Sequence, residues 1–431
     1  MTILYNTSCL FVSIVIHFYG KSGVFLYMDM IAGIVAEYNP FHNGHQYQIK
    51  QARLRGAHAV IAVMSGHFLQ RGEPALADKW QRAGWAVASG VDLVIELPFT
   101  VACRSADHFA TGAVRLLASL GPVTHLVFGA ESSYSLLEEL TQTIRSHETQ
   151  LLLKEHLNTG LSYPAALQKA VEKKAPLLVP ALRQPNNILA LSYLNALQTY
   201  ASGIKPMTIA RHESAYHDTT VSGSFASASA IRACLTQKGL TPKLQTVMPA
   251  ATWLGLLNCA QEQRLLLTAD TLSRLLLYRL RLDKIDGRLP ILGEGLENRL
   301  EKKLSNAFSF DSLLDSLKSK RYPRTRLTRQ LLHYLLSTPD TLLQRIDRDG
   351  PPYARVLAFN DTGRRLLHRC RKQASVPLIT RVAPYASRVP SLLTACLQQD
   401  IKATECYDLL NNMAGITTGG RDFTTSPLYY K

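Results

Sequence analysis

Long apolar runs, cysteine clusters, low-complexity tracts and repeats of fixed period are all missing from this chain. The best apolar run, Leu10 to Ile16, is too short to span a bilayer and is interrupted at His17, which argues against a helical membrane protein. Seven cysteines (Cys9, Cys103, Cys234, Cys259, Cys370, Cys396 and Cys406) are scattered, with no CxxC pair and no grouping with histidine. That spacing argues against a disulfide framework or a structural zinc, and for the reduced thiols of a cytoplasmic protein. Without a repeat there is no solenoid. Acidic residues are scarce, 32 against 48 Lys and Arg, and the formal charge of +16 predicts attraction to polyanions. No lipidation motif and no long basic amphipathic anchor accompanies that charge, so nucleic acid is favoured over a membrane surface.

A length of 431 residues allows two or three domains, each with its own core. Residues 1–27 do not match the rest: no basic segment precedes their apolar run and no cleavage site follows it. Met28 or Met30 opens the first strand directly, and an upstream mis-assigned start codon is the expectation. Gly20-Lys21-Ser22 imitates the end of a phosphate loop, but Val15 stands where its first glycine belongs.

The informative stretch runs from Gly33 to His45, GIVAEYNPFHNGH. Ile31 to Ala36 reads as a short buried strand, stopped at Asn39-Pro40 because proline has no N–H to donate. After the turn, His42-Asn43-Gly44-His45 leads into the polar helical run of Gln46, Gln48, Lys50, Gln51 and Arg53. Two histidines three apart at a helix N-terminus can face one ligand, and a polyphosphate suits the place. Unpaired N–H groups and the helix dipole favour an anion there, glycine admits close backbone approach, and imidazoles add donors where charge develops at phosphorus. Alone, His-x-x-His is as readily a pair of structural histidines; the strand, turn, Gly44 and helix favour the phosphate site.

Ala59 to Met64, Asp92 to Pro98 and His125 to Gly129 repeat the apolar strand pattern, with helical runs at Ala75 to Ser89 and Ala106 to Ser119 between them. Strands alternating with helices predict an α/β fold, a parallel sheet covered on both faces with ligands at the strands' carboxyl ends. Arg71 and Gly129 then fall beside the nucleotide. Pro185 opens a helix with Asn186 and Asn187 at its mouth; one amide is explained by capping, two hint at a base or ribose. Thr208 to His212 reads as a fifth strand ending in Arg211. Ser227 to Arg232 reads as a Ser-capped helix able to close on phosphates.

From near residue 236 the strand pattern stops and helical periodicity takes over, with Leu265 to Leu282, Ser312 to Leu317 and Leu327 to Leu336 as the clearest helices. The division expected is therefore 28–235 for nucleotide binding and 236–431 for a mostly helical domain. Basic residues concentrate between Lys318 and Arg329: Lys318, Lys320, Arg321, Arg324, Arg326 and Arg329, with no acid among them. Arg326, Arg329 and His333 share one face of a helix beginning near Pro323, and Leu327, Leu331 and Leu335 another. Such a face is commonly just solvated; Tyr322 beside it could stack on a base. Arg364, Arg365, Arg369, Arg371 and Lys372 form a second patch.

GIVAEYNPFHNGH, SGHFLQRGEPA, DKWQRA, DLVIELP, FGAE, PNNIL, TIARHE and SASAIR together resemble the tRNA(Met) cytidine acetate ligases of the HxGH nucleotidyltransferase superfamily. GLENRL, KRYPRTRLTR and ARVLAFNDTGRRLL extend the resemblance to about residue 370. It implies a Rossmann-like nucleotidyltransferase domain with a parallel sheet, followed by a mostly α-helical domain that binds tRNA. It implies ATP along Ile34, Val35, Ala36, Glu37, Tyr38, Asn39, Pro40, Phe41, His42, Asn43, Gly44, His45, Gln46 and Tyr47, against Gly129, Asn186, Arg211 and His212, with Mg²⁺ on the phosphates. His42 and His45 are the catalytic candidates, acetate and elongator methionine tRNA the partners, and cytoplasm the expected location; oligomeric state stays open. His67 departs from the family pattern and is given no role. An adenylyltransferase for a small cofactor precursor, or an RNA-binding protein with a vestigial nucleotide site, are the alternatives.

Overall fold

The computed structural model describes residues 30–210, 223–265, 270–283, 296–319, 322–386, 389–411 and 419–431. Its centre is a sheet whose first five strands are β1 (Ile31–Ala36), β2 (Ala59–Ser65), β3 (Leu93–Leu97), β4 (His125–Ala130) and β5 (Lys205–Ala210). They lie in the order β5-β4-β1-β2-β3, all parallel. β1 to β4 are almost wholly buried, as continuous Val/Ile/Leu/Ala runs require when helices cover both faces. β5 lies at the edge, where exposed Lys205 and the missing N–H of Pro206 are tolerated. Chain order reverses between β1 and β4, so their carboxyl ends flank the crevice where such folds bind ligands.

On one face, α1 (Asn43–Leu54) and α2 (Lys79–Ala88) bury Ile49, Ala52, Trp80, Ala83 and Ala86 against Ile34, Val60 and Ala62. The other face is covered by α3 (Ala106–Ser119) and α4 (Pro185–Tyr200), whose leucines meet Ile61, Val63, Leu126 and Phe128. Next, α5 (Ala228–Lys238) begins at Ser227, whose hydroxyl accepts the Ala230 N–H at 3.1 Å.

The helical lobe is built from α6 (Asp270–Leu282), α7 (Leu296–Leu304), α8 (Phe310–Leu317) and α9 (Arg324–Leu335). Its leucine core takes in Phe68, Phe99 and Cys103, residues that follow the carboxyl ends of β2 and β3. The lobe is thus seated at the same edge of the sheet as the β1 exit. Among the described residues no helix is long and apolar enough to cross a membrane.

The expectation that strands end near residue 236 is corrected. β6 (Ala354–Asn360) joins the sheet antiparallel to β3, and β7 (Leu378–Ile379) and β8 (Leu428–Tyr430) pair with β6. Arg355 hid β6, because a charge inside an apolar run reads as a break. In the fold it is buried between Glu96 and Asp422, with Asp422 at 2.6 Å, and Asp422 also meets Lys79 at 2.9 Å. α10 (Asp361–Gln373) and α11 (Leu392–Asn411) complete this return to the sheet. Residues 1–29, Arg211, His212, Gly295, Lys320 and Arg321, on which sequence expectations also fall, lie outside the described residues.

Candidate active site

β1 ends at Ala36, and the chain turns through Tyr38, whose φ of 48° is unusual for a bulky residue. The turn is held by hydrogen bonds to neighbouring segments. Asn39 accepts the Leu76 N–H at 2.7 Å through Oδ1 and an Arg232 N–H at 2.8 Å through its carbonyl. Asn43 donates through Nδ2 to the carbonyls of Ser224 and Thr246, at 2.8 and 2.9 Å, and through its N–H to Val247. The middle residue of the tetrad therefore ties the start of α1 to the chain around α5.

His42 is the N-cap of α1, and the two histidines form its capping box. His42 Nδ1 accepts the Gly44 N–H at 3.0 Å, and His45 Nδ1 accepts the His42 N–H at 3.2 Å. The rings stack with centroids 3.8 Å apart. Tyr38 and Phe41 enclose His45, at 4.9 and 5.4 Å. A nitrogen that accepts from a backbone N–H carries no proton, so each neutral ring holds its proton on Nε2. Two parallel imidazoles, each a donor through Nε2, at a helix N-terminus are suited to stabilising charge on phosphoryl oxygens.

Four members of the predicted nucleotide stretch, Ile34, Ala36, Tyr38 and Phe41, bury their side chains in the core, so what they offer a ligand is backbone. Asn39, Pro40 and His42 are also buried; Val35, Glu37, Asn43, Gly44, His45 and Tyr47 are half-buried and Gln46 is exposed. The Glu37 carboxylate accepts the Gln70 N–H at 2.8 Å; desolvation raises its pKa, opposed by Arg232, Arg71 and Arg82. Gly129 lies in β4, the strand beside β1, paired with Ile209 of β5.

The two amides at the α4 mouth have different work. Asn187 is fully buried: its Oδ1 accepts the N–H groups of Glu131 and Ser132, both at 3.1 Å, and its N–H donates to Glu131 at 2.9 Å. Asn187 thus clips the β4 exit to α4. Half-buried Asn186 donates its amide to the Glu131 carboxylate, which sets that side chain next to the crevice.

Arg82 was passed over in the sequence. Fully buried on α2, its guanidinium donates to the carbonyls of Glu37 (2.6 Å), Ser65 (3.2 Å), Gly66 and Ala77 (2.9 Å), clamping the exits of β1 and β2. The available signal was its i, i+3 relation to Lys79 on an otherwise apolar face. His67 is a core residue: its ring stacks on Tyr407 at 4.4 Å and Nδ1 meets Thr404 Oγ1 at 3.2 Å. Burial first, then Lys79, hold its pKa well down.

The basic run departs from expectation. Tyr322 is 7% exposed, with the Arg326 guanidinium 4.8 Å over its ring, so it is not presented for stacking. Arg324 pairs with Asp311 and Asp315. Arg329 is half-buried and abuts the turn at Gly72, whose missing Cβ would stand 2.8 Å from the Arg329 nitrogen. His333 is buried against the Cys103 carbonyl at 2.8 Å rather than lined up with Arg326 on a basic face. The leucines Leu327 and Leu331 are core, as the spacing predicted, and Lys318 is exposed. Arg232 braces the β1 turn through Asn39, a structural duty the lid reading had not foreseen.

The HIGH Nucleotidyl Transferase family model matches residues 28–421. A tRNA(Met) cytidine acetate ligase of Clostridium kluyveri is 36% identical over 411 residues, covering 92% of this chain and 98% of that one. Its counterpart from Syntrophomonas wolfei is 38% identical over 413 residues, covering 92% and 99%. The crystal structure of apo Thermotoga maritima TmcAL superposes with a TM-score of 0.87 at 32% identity, covering 93% and 99% of the two chains. A second crystal form of that protein, bound with alpha-thio ATP, gives 0.85.

Proposed function

Since the chain belongs to the HIGH nucleotidyl transferases and, among them, to the tRNA(Met) cytidine acetate ligase family, we propose that it acetylates the wobble cytidine of elongator methionine tRNA at the expense of ATP. A carboxylate oxygen of acetate attacks the α-phosphorus; the bond to the bridging oxygen breaks and pyrophosphate leaves, giving acetyl-adenylate. The cytidine N4 amine then attacks the acetyl carbon, loses a proton and expels AMP. N4-acetylcytidine is the product.

The observation that carries this reading is the stacked His42–His45 pair, with both Nδ1 atoms occupied by backbone N–H groups. In this reading the Nε2–H groups of the two imidazoles donate to the α-phosphoryl oxygens, where charge gathers in the first step. The rest of the assignment is positioning, in which two anions are held together and their charge offset. ATP would lie over the exits of β1 and β4, with Gly129 giving close backbone approach and Asn186 facing the adenosine; the alpha-thio ATP complex of the Thermotoga protein supports ATP as the nucleotide. Arg211 and His212 join this set by resemblance. Among the described residues no group of three or more His, Cys, Asp or Glu is arranged to hold a metal. Magnesium would ride on the phosphates.

The division of labour proposed is nucleotide chemistry in residues 28–235, whose sheet β6 to β8 extend, and tRNA recognition by the helical part of residues 236–431, in the cytoplasm. The test is release of AMP and pyrophosphate with acetate, with and without the tRNA. AMP formed together with an acetylated cytidine establishes the reaction. Pyrophosphate release with a different acceptor would move the substrate to a small-molecule adenylyltransferase, and no turnover would leave an RNA-binding protein.

A further inference from the structure

With Tyr322 buried, the lobe's exposed aromatic side chains stand elsewhere. Tyr278 on α6 is 68% exposed and Phe308, in the turn between α7 and α8, is 84% exposed. α6 buries Leu272, Leu276, Leu277 and Leu280 in the lobe core, and this fixes the opposite stripe. Arg274, Tyr278 and Arg281 follow one another there at i, i+4, i+7, all exposed. Arg281 donates to the Ala307 carbonyl at 2.6 Å, which brings the end of this stripe to the residue before Phe308. The same turn is closed by Asn306 N–H to Lys303 (3.3 Å) and Ala307 N–H to Leu304 (3.2 Å), so exposed Lys302 and Lys303 stand one turn away. The nearby acids are Glu301, Asp283, which Arg279 holds at 2.8 Å, and Asp311, three residues past Phe308, which Arg324 holds.

Exposed rings carry a hydration cost that a monomer gains nothing from, and here they are set among cations. That combination fits RNA with unpaired bases: rings accept base faces and the cations accept phosphates. We propose that Tyr278 and Phe308 form a stacking platform for unpaired bases of the RNA substrate, with Arg274, Lys302 and Lys303 on the neighbouring phosphates. The proposal rests on the tRNA-acetylation reading and locates its recognition surface. The lobe core that carries the platform includes Phe68 and Phe99 from the exits of β2 and β3, so the RNA would be held on the same edge as the histidines.

The experiment measures binding of an unmodified elongator methionine tRNA transcript over a range of salt concentrations. The full-length protein is compared with Tyr278→Ala, Phe308→Ala, Tyr278→Phe and Phe308→Trp. Each alanine variant is expected to bind about 10-fold or more weakly, the ring-retaining variants near wild type, with an unchanged salt slope because stacking releases no counterions. ATP affinity and melting temperature stay at wild-type values. Alanine variants that bind like wild type, while the wild type binds and acetylates the tRNA, overturn the platform and leave the reaction standing. So does a dimer in light scattering that the alanine variants split while tRNA affinity stays, which would make the patch a self-interface. A wild type that neither binds nor acetylates the tRNA overturns the underlying reading.

Discussion

A Cβ on Gly44 would stand 2.8 Å from Cε1 and 3.0 Å from Nδ1 of His42. The glycine of the tetrad is thus required by a neighbouring ring and not by a left-handed backbone. Gly44→Ala should push the His42 imidazole off its cap, removing the bond to the residue 44 N–H and the stack on His45. Adenylate formation is expected to fall roughly 100-fold, the cost of misplacing one transition-state donor. Stability should fall by only about 1 kcal/mol, the value of a cap. Acetate-dependent pyrophosphate release, read beside a melting curve, checks both; an unchanged rate would free the reaction from the position of His42.

Arg326 and Arg329 lie one helical turn apart, and the structure gives them different duties. Arg329 is half-buried beside Cys103 and Arg104, where desolvation lowers its pKa, and its backbone abuts Gly72 in the turn whose Gln70 N–H holds Glu37. Arg329→Glu should therefore lower stability by about 1 to 3 kcal/mol, as a buried unpaired charge does. The paired reversal Lys318→Glu and Arg326→Glu should spare the melting temperature, weaken tRNA binding and reduce the salt slope by about 2, if each cation meets a phosphate. Salt-dependent binding and denaturant melts of both variants separate the roles; identical behaviour would erase the distinction.

Sequence alone revealed β1 to β4, because their apolar runs are nearly continuous, with Glu96 near the end of β3 the one charge among them, and the start of α1, because a proline stop, a glycine and a polar helix are local signals. β6 stayed hidden since Arg355 becomes acceptable only once Glu96 and Asp422, distant in the chain, close around it. The histidine pair was legible, but its tautomers depend on two backbone bonds that no spacing reveals. Tyr322 read as exposed because it sits in a basic run, whereas Arg326 covers its ring. Tyr278 went unnoticed inside a leucine-rich helix, where only the direction of the core tells a packed aromatic from a presented one.

Lys79, Glu96, Arg355 and Asp422 are all almost completely buried, two charges of each sign. Asp422→Ala leaves Lys79 and Arg355 with Glu96 as their remaining ion-pair partner and should cost about 3 to 5 kcal/mol. Breaking the exposed Asp361–Arg364 pair by Asp361→Ala should change stability by less than about 1 kcal/mol. Urea unfolding of the two variants decides the point. Equal, small effects would mean that the segment around Asp422 is not anchored through its charge.

His333 anchors α9 to the helix Phe99–Ala102 and the residue after it through its Nε2, 2.8 Å from the Cys103 carbonyl, while Nδ1 is buried with no hydrogen-bond partner among the described residues. Burial pushes its pKa down to about 4, and Arg104 and Arg329 add to the shift. Between pH 4 and the unfolded value near 6.5, the unfolded chain binds a proton that the folded chain refuses, so stability falls as pH falls through that window. A shift of this size corresponds to about 3 kcal/mol by pH 4, all of it present at neutral pH. His333→Gln cannot take up that proton, so the difference in unfolding free energy between wild type and variant should shrink as pH drops from 7 to 5. Parallel pH profiles would show that the buried imidazole does not couple lobe docking to protonation.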